Sequence, residues 1–352
     1  MKLGIIEGFY GDDWGFSKRE TMLPFLERLG FGFFIYAPKA DRSLRRDWQK
    51  PTPEKDLSAL LNFRRACAEH NIEFGVGLSP YGLHESWATG SREALKKKLG
   101  QLKHLELDYL AILFDDMPGA FPQLAKTQAE IVSEATAHGV SKRYIMCPTY
   151  YSDAPILDRL FGARPADYLS VLGNALDPAV SVFWTGPKVV SDTYPDSHLD
   201  NVAEALGRPP FIWDNYPVND GPRMCRHLHL RVPQRSASGF QKTAGWALNP
   251  MNQAHLSQAP LWGIAAQCLR GADPNDADLT LKALRACFSL PLADAIMEDI
   301  ICLQDRGLDA IESVRRHDLE KRYERFEEPA ATEILSWLKG EYVVSPEILT
   351  DC

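Results

Sequence analysis

Eight strand-like runs occur before residue 250, most of them followed by a helix-like segment, and this alternation constrains the fold more than any other feature of the chain. The runs are Leu3–Glu7, Gly32–Ala37, Glu73–Leu78, Tyr109–Phe114, Tyr144–Pro148, Ser181–Trp184, Pro210–Trp213 and Ala244–Leu248. Amphipathic or Ala/Leu-rich stretches lie between them, among them Lys18–Leu29, Glu54–His70, Arg92–His104 and Gln123–His138. Ser17 and Thr52 are the expected N-caps, Pro53 suits a first helical position, and Gly139 suits a helix stop. Eight such alternations over roughly 260 residues match a (β/α)8 TIM barrel in count and size. A doubly wound open sheet is the alternative. Its dinucleotide-binding form needs a Gly-rich phosphate turn after the first strand, and EGFYG at 7–11 is not GxGxxG.

The character changes after about Arg270. GADPNDAD reads as a linker or turn, and Leu279–Lys339 is largely helical, with ALRACF, ADAIMEDIICL, GLDAIESV and EILSWLKG as apolar stripes. The charged run RRHDLEKRYERFEE between them reads as a solvated helix face. The expected organisation is a barrel over 1–270 followed by a small C-terminal helical region over 271–352. The stripes of that region either pack on the barrel or form a homodimer surface.

Composition narrows the class. A chain of 352 residues that is 45% hydrophobic and 24% charged has a globular profile. Its net charge of −8 argues against a general nucleic-acid surface. No apolar stretch reaches membrane-spanning length, and the run LGII between Lys2 and Glu7 is too short for a signal-peptide core. The seven cysteines are odd in number and form no CxxC pair, which suits a reducing compartment. The expected location is cytoplasmic, with no membrane and no nucleic-acid partner.

Asp115 and Asp116 close the apolar run DYLAILFDDMPG, where Pro118 and Gly119 stop the strand. Carboxylates at the carboxyl end of a buried strand sit where α/β barrels keep their active sites. Two of them side by side repel, an arrangement that can supply one acid and one anion. Alone, an aspartate ahead of a helix is commonly an N-cap. The other strand ends alter that weighting. They carry Gly8, Tyr10 and Trp14; Lys39, Asp41, Arg45 and Trp48; Tyr81; Tyr150 and Tyr151; Trp184 and Thr185; Trp213, Asp214, Asn215, Asn219 and Asp220; and Asn249. Each has an ordinary explanation: packing for Trp184, Trp213 or Tyr151, a surface charge for Lys39, a turn for Asn249. Converging on one face, aromatics, amides and carboxylates describe a carbohydrate pocket, because sugar rings stack on aromatics while fixed polar groups bind hydroxyls.

A metal site is weighed on the same residues. Asp115 and Asp116 are possible Mg²⁺ ligands, with Asp214 and Asp220 the other candidates, but no strand end supplies a histidine or a further carboxylate cluster. His227 and His229 in RHLHLR read as two residues on one side of an extended loop. Neither a metal nor another cofactor is expected. One geometric condition stands: neighbours on a strand point to opposite faces, so both aspartates reach one pocket only if the chain turns there.

The assembled motifs resemble the β-N-acetylglucosaminidases of glycoside hydrolase family 84, which include O-GlcNAcases and bacterial enzymes once called hyaluronidases. They are GIIEGFYG..W at 4–14, YAPK.D...R..W at 36–48, FDD at 114–116, CPT.Y at 147–151, WTGPKVVS at 184–191, WDNYPVND at 213–220 and NP at 249–250. The resemblance covers roughly residues 3–267. It implies a retaining exo-hydrolase of terminal β-linked GlcNAc, with a β-GlcNAc-bearing glycoconjugate or oligosaccharide as partner. The sugar's own 2-acetamido oxygen would attack the anomeric carbon to form an oxazoline, an exception to the two-carboxylate scheme. It also implies that Asp115 orients the acetamido group and that Asp116 is general acid, then base. Tyr151 would bond the acetamido oxygen. Gly8, Lys39, Asn215, Asp220 and Asn249 would bind hydroxyls or the acetamido group, and Trp213 would wall the acetamido methyl. The chain departs from the family at Asp13, at Ala40, in MPGAFP after the aspartates and in the loop HLHLRVPQRSASG, all expected near the pocket rim. The competing readings are a catalytically silent GlcNAc-binding barrel and a metal-dependent barrel enzyme.

Overall fold

The computed structural model describes residues 2–345. Its eight strands form a closed, all-parallel barrel in chain order, with the last strand paired back to the first. They are β1 (Leu3–Glu7), β2 (Phe33–Tyr36), β3 (Glu73–Leu78), β4 (Leu107–Leu113), β5 (Ser141–Cys147), β6 (Ser181–Trp184), β7 (Phe211–Asp214) and β8 (Gly245–Leu248). β5 starts earlier than its apolar residues predict. Ser141 pairs with Leu107 in the ladder, and the polar start is held by Lys142 on Asp108 and Arg143 on Glu73. Backbone pairing extends a strand regardless of side-chain polarity, which a hydrophobic pattern does not register.

Glycines inside the strands let the barrel interior fill with rings. The Phe33 ring lies 5.4 Å from that of Tyr109 and 5.6 Å from that of Phe211. A Cβ at Gly4 would stand 2.4 Å from the Phe33 ring, and one at Gly245 would stand 2.5 Å from the Phe211 ring. Alternating small and large residues in this way packs the interior solidly and leaves the strand ends to carry chemistry.

Two predicted caps are corrected. Ser17 lies inside the helix Gly15–Leu29, which follows Trp14 directly. Thr52 does not cap the helix Glu54–Glu69. Pro53 is its flanking residue, and the Thr52 hydroxyl instead accepts a hydrogen bond from Lys98 Nζ at 2.8 Å. Gly139 has a φ of +59°, the left-handed conformation of a helix stop, just beyond the helix Leu124–Ala137. That helix begins well downstream of Asp115 and Asp116, so neither aspartate caps it.

After Arg270, the helices Leu279–Cys287, Leu290–Ile300, Ser313–Tyr323 and Pro329–Leu338 turn their apolar stripes inward. Leu284, Leu292, Ile296, Leu319, Ile334 and Trp337 form a second core with Leu228, Leu230, Met251 and Leu256 from the loops after β7 and β8. The loop 227–239, expected at the pocket rim, is therefore largely sandwiched between barrel and C-terminal helices. Glu333, buried at that junction, accepts backbone N–H groups of His255 at 3.2 Å and Leu256 at 2.9 Å. This fixes the segment that follows Asn249 and couples the C-terminal helices to the mouth of the barrel. Among the described residues no helix is long and apolar enough to cross a membrane.

Candidate active site

The strand ends converge on a cavity of about 190 Å³ at the carboxyl end of the barrel. All nine residues singled out from the sequence line it: Gly8, Lys39, Asp115, Asp116, Tyr151, Trp213, Asn215, Asp220 and Asn249. The two aspartates meet the geometric condition set by strand alternation through the backbone. β4 ends at Leu113, and Asp116 takes a φ of +57°, in the left-handed region that aspartate tolerates better than most residues. The turn swings Asp116 round to the face that Asp115 already occupies.

Their environments differ. Asp115 is buried and ion-paired through Oδ2 to Lys39 Nζ, while its buried Oδ1 has no hydrogen-bond partner among the described residues. Asp116 is only partly buried and is held by two hydroxyls: Tyr151 donates to Oδ1 at 2.9 Å and Tyr10 to Oδ2 at 2.8 Å. Burial, then the Asp116 carboxylate, pushes both tyrosine hydroxyls well above their ordinary range, so they remain protonated donors. Burial also pushes the Cys147 thiol up, which keeps it neutral at the cavity floor.

The walls are built from the remaining strand ends. Gly8 is required by a close approach, since a Cβ there would stand 2.4 Å from the Trp213 ring. Lys39 Nζ lies 5.5 Å from that ring's centroid, so one cation meets both Asp115 and an aromatic face. Asn249 accepts the Gly8 N–H at 3.1 Å and donates to Asn215 Oδ1 at 3.0 Å, and Asn215 donates to the Val189 carbonyl at 2.9 Å. Asp220 accepts the Tyr10 N–H at 2.8 Å, and burial pushes its carboxyl up to about 6. Tyr10, Cys147, Thr185, Val189, Val190 and Val218 also line the cavity but were not assigned to the site from sequence. Each had a signal: Tyr10 in the GFYG turn after β1, Cys147 in CPT.Y, Thr185, Val189 and Val190 in WTGPKVVS, and Val218 in WDNYPVND.

Asp214, weighed as a metal ligand from sequence, is committed elsewhere. It is fully buried in a bidentate pair with Arg235 at 2.6 and 2.8 Å, and accepts Trp246 Nε1 at 3.0 Å. His227 and His229 are likewise engaged, on the Gln304 carbonyl and on the Pro217 and Val218 carbonyls. Among the described residues no three His, Cys, Asp or Glu side chains cluster as a metal site would require. Of the family departures, Asp13 pairs with Arg19, and no residue of the loop 227–239 lines the cavity.

Comparison with known proteins identifies the family. The NAGidase family, described as beta-N-acetylglucosaminidase, matches residues 3–298. The mouse and rat Protein O-GlcNAcases (Mus musculus and Rattus norvegicus) are each 31% identical over 227 residues, covering 62% of this chain and 24% of theirs. The chain thus spans about a quarter of the length of these curated relatives. Among solved structures, a point mutant of the Thermobaculum terrenum O-GlcNAc hydrolase superposes with a TM-score of 0.78 at 26% identity, covering 97% of this chain and 81% of that one. CpGH84B shares the fold, with a TM-score of 0.75 at 20% identity, over 96% of this chain and 66% of its own. With a family match across the whole barrel and a cavity lined by the motifs that resemble it, the chain belongs to the β-N-acetylglucosaminidase family.

Proposed function

We propose that the cavity hydrolyses terminal β-linked N-acetylglucosamine with retention, using the substrate's acetamido group as nucleophile. The observation that carries this reading is the pair of dissimilar carboxylates on one turn. Asp115 is clamped by Lys39 with one oxygen unpartnered, and Asp116 is poised between two tyrosine hydroxyls. Consecutive residues have Cα atoms about 3.8 Å apart and approach a sugar from one side. An acid and an enzyme nucleophile flank the scissile bond instead. A cavity of about 190 Å³ is below the usual ligand-pocket range of about 300–1,000 Å³, which favours one terminal sugar over a bound polymer.

In this mechanism the acetamido oxygen attacks C1 as the bond from C1 to the leaving oxygen breaks, and Asp116 gives its proton to that oxygen. Asp115 Oδ1 accepts the acetamido N–H and stabilises the positive charge growing on nitrogen. Tyr151 turns from Asp116 to donate to the acetamido oxygen. The Asp116 carboxylate then takes a proton from water, which attacks C1 and reopens the oxazoline with overall retention. Asp220, Asn215, Lys39, Asn249 and the Gly8 carbonyl hold the hydroxyls and the acetamido group, with Trp213 against its methyl. O-linked GlcNAc, the sugar in the relatives' names, is the substrate form assigned first.

The test is release of 4-nitrophenol from its β-N-acetylglucosaminide, with the β-glucoside as control and EDTA present. Turnover of the acetamido sugar alone supports the reading. No turnover of either by folded protein would replace it with a sugar-binding barrel, to be followed by calorimetry with GlcNAc.

A further inference from the structure

Among the described residues three arginines are almost completely buried: Arg19, Arg45 and Arg235, with 1–2% of each exposed. Two are neutralised at once. Arg19 forms a bidentate pair with Glu7 at 2.6 and 2.8 Å, and Arg235 does the same with Asp214. Arg45 differs. Among the described residues no carboxylate stands within ion-pair reach of it, and its Nε and Nη1 have no hydrogen-bond partner. Its remaining contacts are with two tyrosines, of which Tyr10 lines the cavity. Nη2 donates to the Tyr10 hydroxyl at 3.3 Å, and the guanidinium lies 5.8 Å from the Tyr10 ring centroid and 5.6 Å from that of Tyr81. The Tyr10 hydroxyl in turn donates to Asp116 Oδ2 at 2.8 Å. A buried cation without a counter-ion is costly to keep. Here burial lowers the Arg45 pKa, but Tyr10, Asp115 and Asp116 more than offset it, so the charge persists and faces the two aspartates.

We propose that Arg45 is a positioning residue for hydrolysis, acting through Tyr10 to hold Asp116 in its left-handed turn and to favour its carboxylate form. The inference rests on the assignment of Asp116 as acid and base. A hydroxyl that accepts from a guanidinium is polarised and donates more strongly. The relay therefore supports the carboxylate that must activate water in the second step, and makes Asp116 a readier proton donor in the first. Tyr151 does not duplicate it, because the proposed mechanism needs Tyr151 on the acetamido oxygen during the first step. The other groups facing Asp116 are Asp115 with its Lys39 partner, Cys147 and Tyr151 from the end of β5, and Asp220 from the loop after β7. Of these, Lys39 is the cation, and it is taken up by Asp115.

The test is the pH dependence of kcat/KM for an alkyl β-N-acetylglucosaminide, a leaving group that needs the acid. Its alkaline limb reports loss of the proton from the general acid of the free enzyme. Arg45→Met should move that limb to higher pH by about half to one unit, and Arg45→Lys by less. Tyr10→Phe should move it the same way, and adding Arg45→Met to Tyr10→Phe should move it further by less than Arg45→Met does alone, the remainder being the direct field of the cation at Asp116. If Arg45→Met fails to fold, Arg45→Lys alone and in the Tyr10→Phe background carries the test, its shift shrinking once Tyr10 is gone. A variant that loses rate or stability with its limb unmoved, or two shifts that add, would overturn the inference. A wild-type enzyme without turnover, or an alkaline limb that persists in Asp116→Asn, would instead fell the underlying assignment of Asp116.

Discussion

Glu7 ends β1, Asp214 ends β7, and Asp115 and Asp116 follow the end of β4, so three strand ends of one barrel present carboxylates. Glu7 and Asp214 are each closed by a bidentate arginine, and every one of their oxygens is engaged. Among the described residues no arginine pairs with either aspartate of the β4 turn, one Asp115 oxygen is unpartnered, and Asp116 is met by neutral hydroxyls. A carboxylate saturated by a guanidinium is neutralised and geometrically fixed, which serves the fold. One with an open oxygen or an exchangeable hydroxyl partner has interactions left to form with a substrate. Residue type and strand-end position are shared across the three regions. What separates a structural carboxylate from a reactive one is the partner that another loop brings to it.

That contrast can be broken at either end. Arg235→Met should leave Asp214 buried and unpaired and lower stability by about 3–5 kcal/mol, read as a fall in denaturant midpoint. A midpoint close to wild type would mean that the pair does not support the β7 end. Asp115→Asn should slow turnover by about 10²–10³-fold for good and poor leaving groups alike, since acetamido attack needs it in either case. An unchanged rate would remove Asp115 from the chemistry. The smallest effect sharpens the comparison at Asp220, whose carboxyl is raised to about 6 by burial. Above that pH it is ionised and accepts from sugar hydroxyls; below it the carboxyl is neutral. KM for the GlcNAc glycoside should therefore rise several-fold, about tenfold at most, as pH falls through 6, and Asp220→Asn should flatten the change.

Much of this was legible in the sequence, for definable reasons. The alternation of apolar runs and amphipathic stretches encodes the barrel directly, because strand and helix periods differ. All nine assigned cavity residues lie at or just beyond strand ends, where the fold itself concentrates chemistry. The partners were not legible. The contact from Tyr10 to Asp116 spans 106 residues and that from Gly8 to Asn249 spans 241, and neither has a local signal. The turn at Asp116 was required by the chemistry, but its left-handed backbone is a property of the tertiary structure. The loop 227–239 is expected at the rim because it departs there from the family's pattern. Arg235 and the alternating Leu228 and Leu230 instead bury it, one against Asp214 and the others against the C-terminal helices.

The most direct measurement is the leaving-group dependence of Asp116→Asn. The account predicts that this variant loses about 10²–10⁴-fold on an alkyl β-N-acetylglucosaminide, which needs a proton on its departing oxygen, and far less on the 4-nitrophenyl glycoside, which does not. Equal losses on the two substrates, or no loss on the alkyl glycoside, would contradict the assignment of Asp116 as the acid and with it the proposed division of labour between the two aspartates.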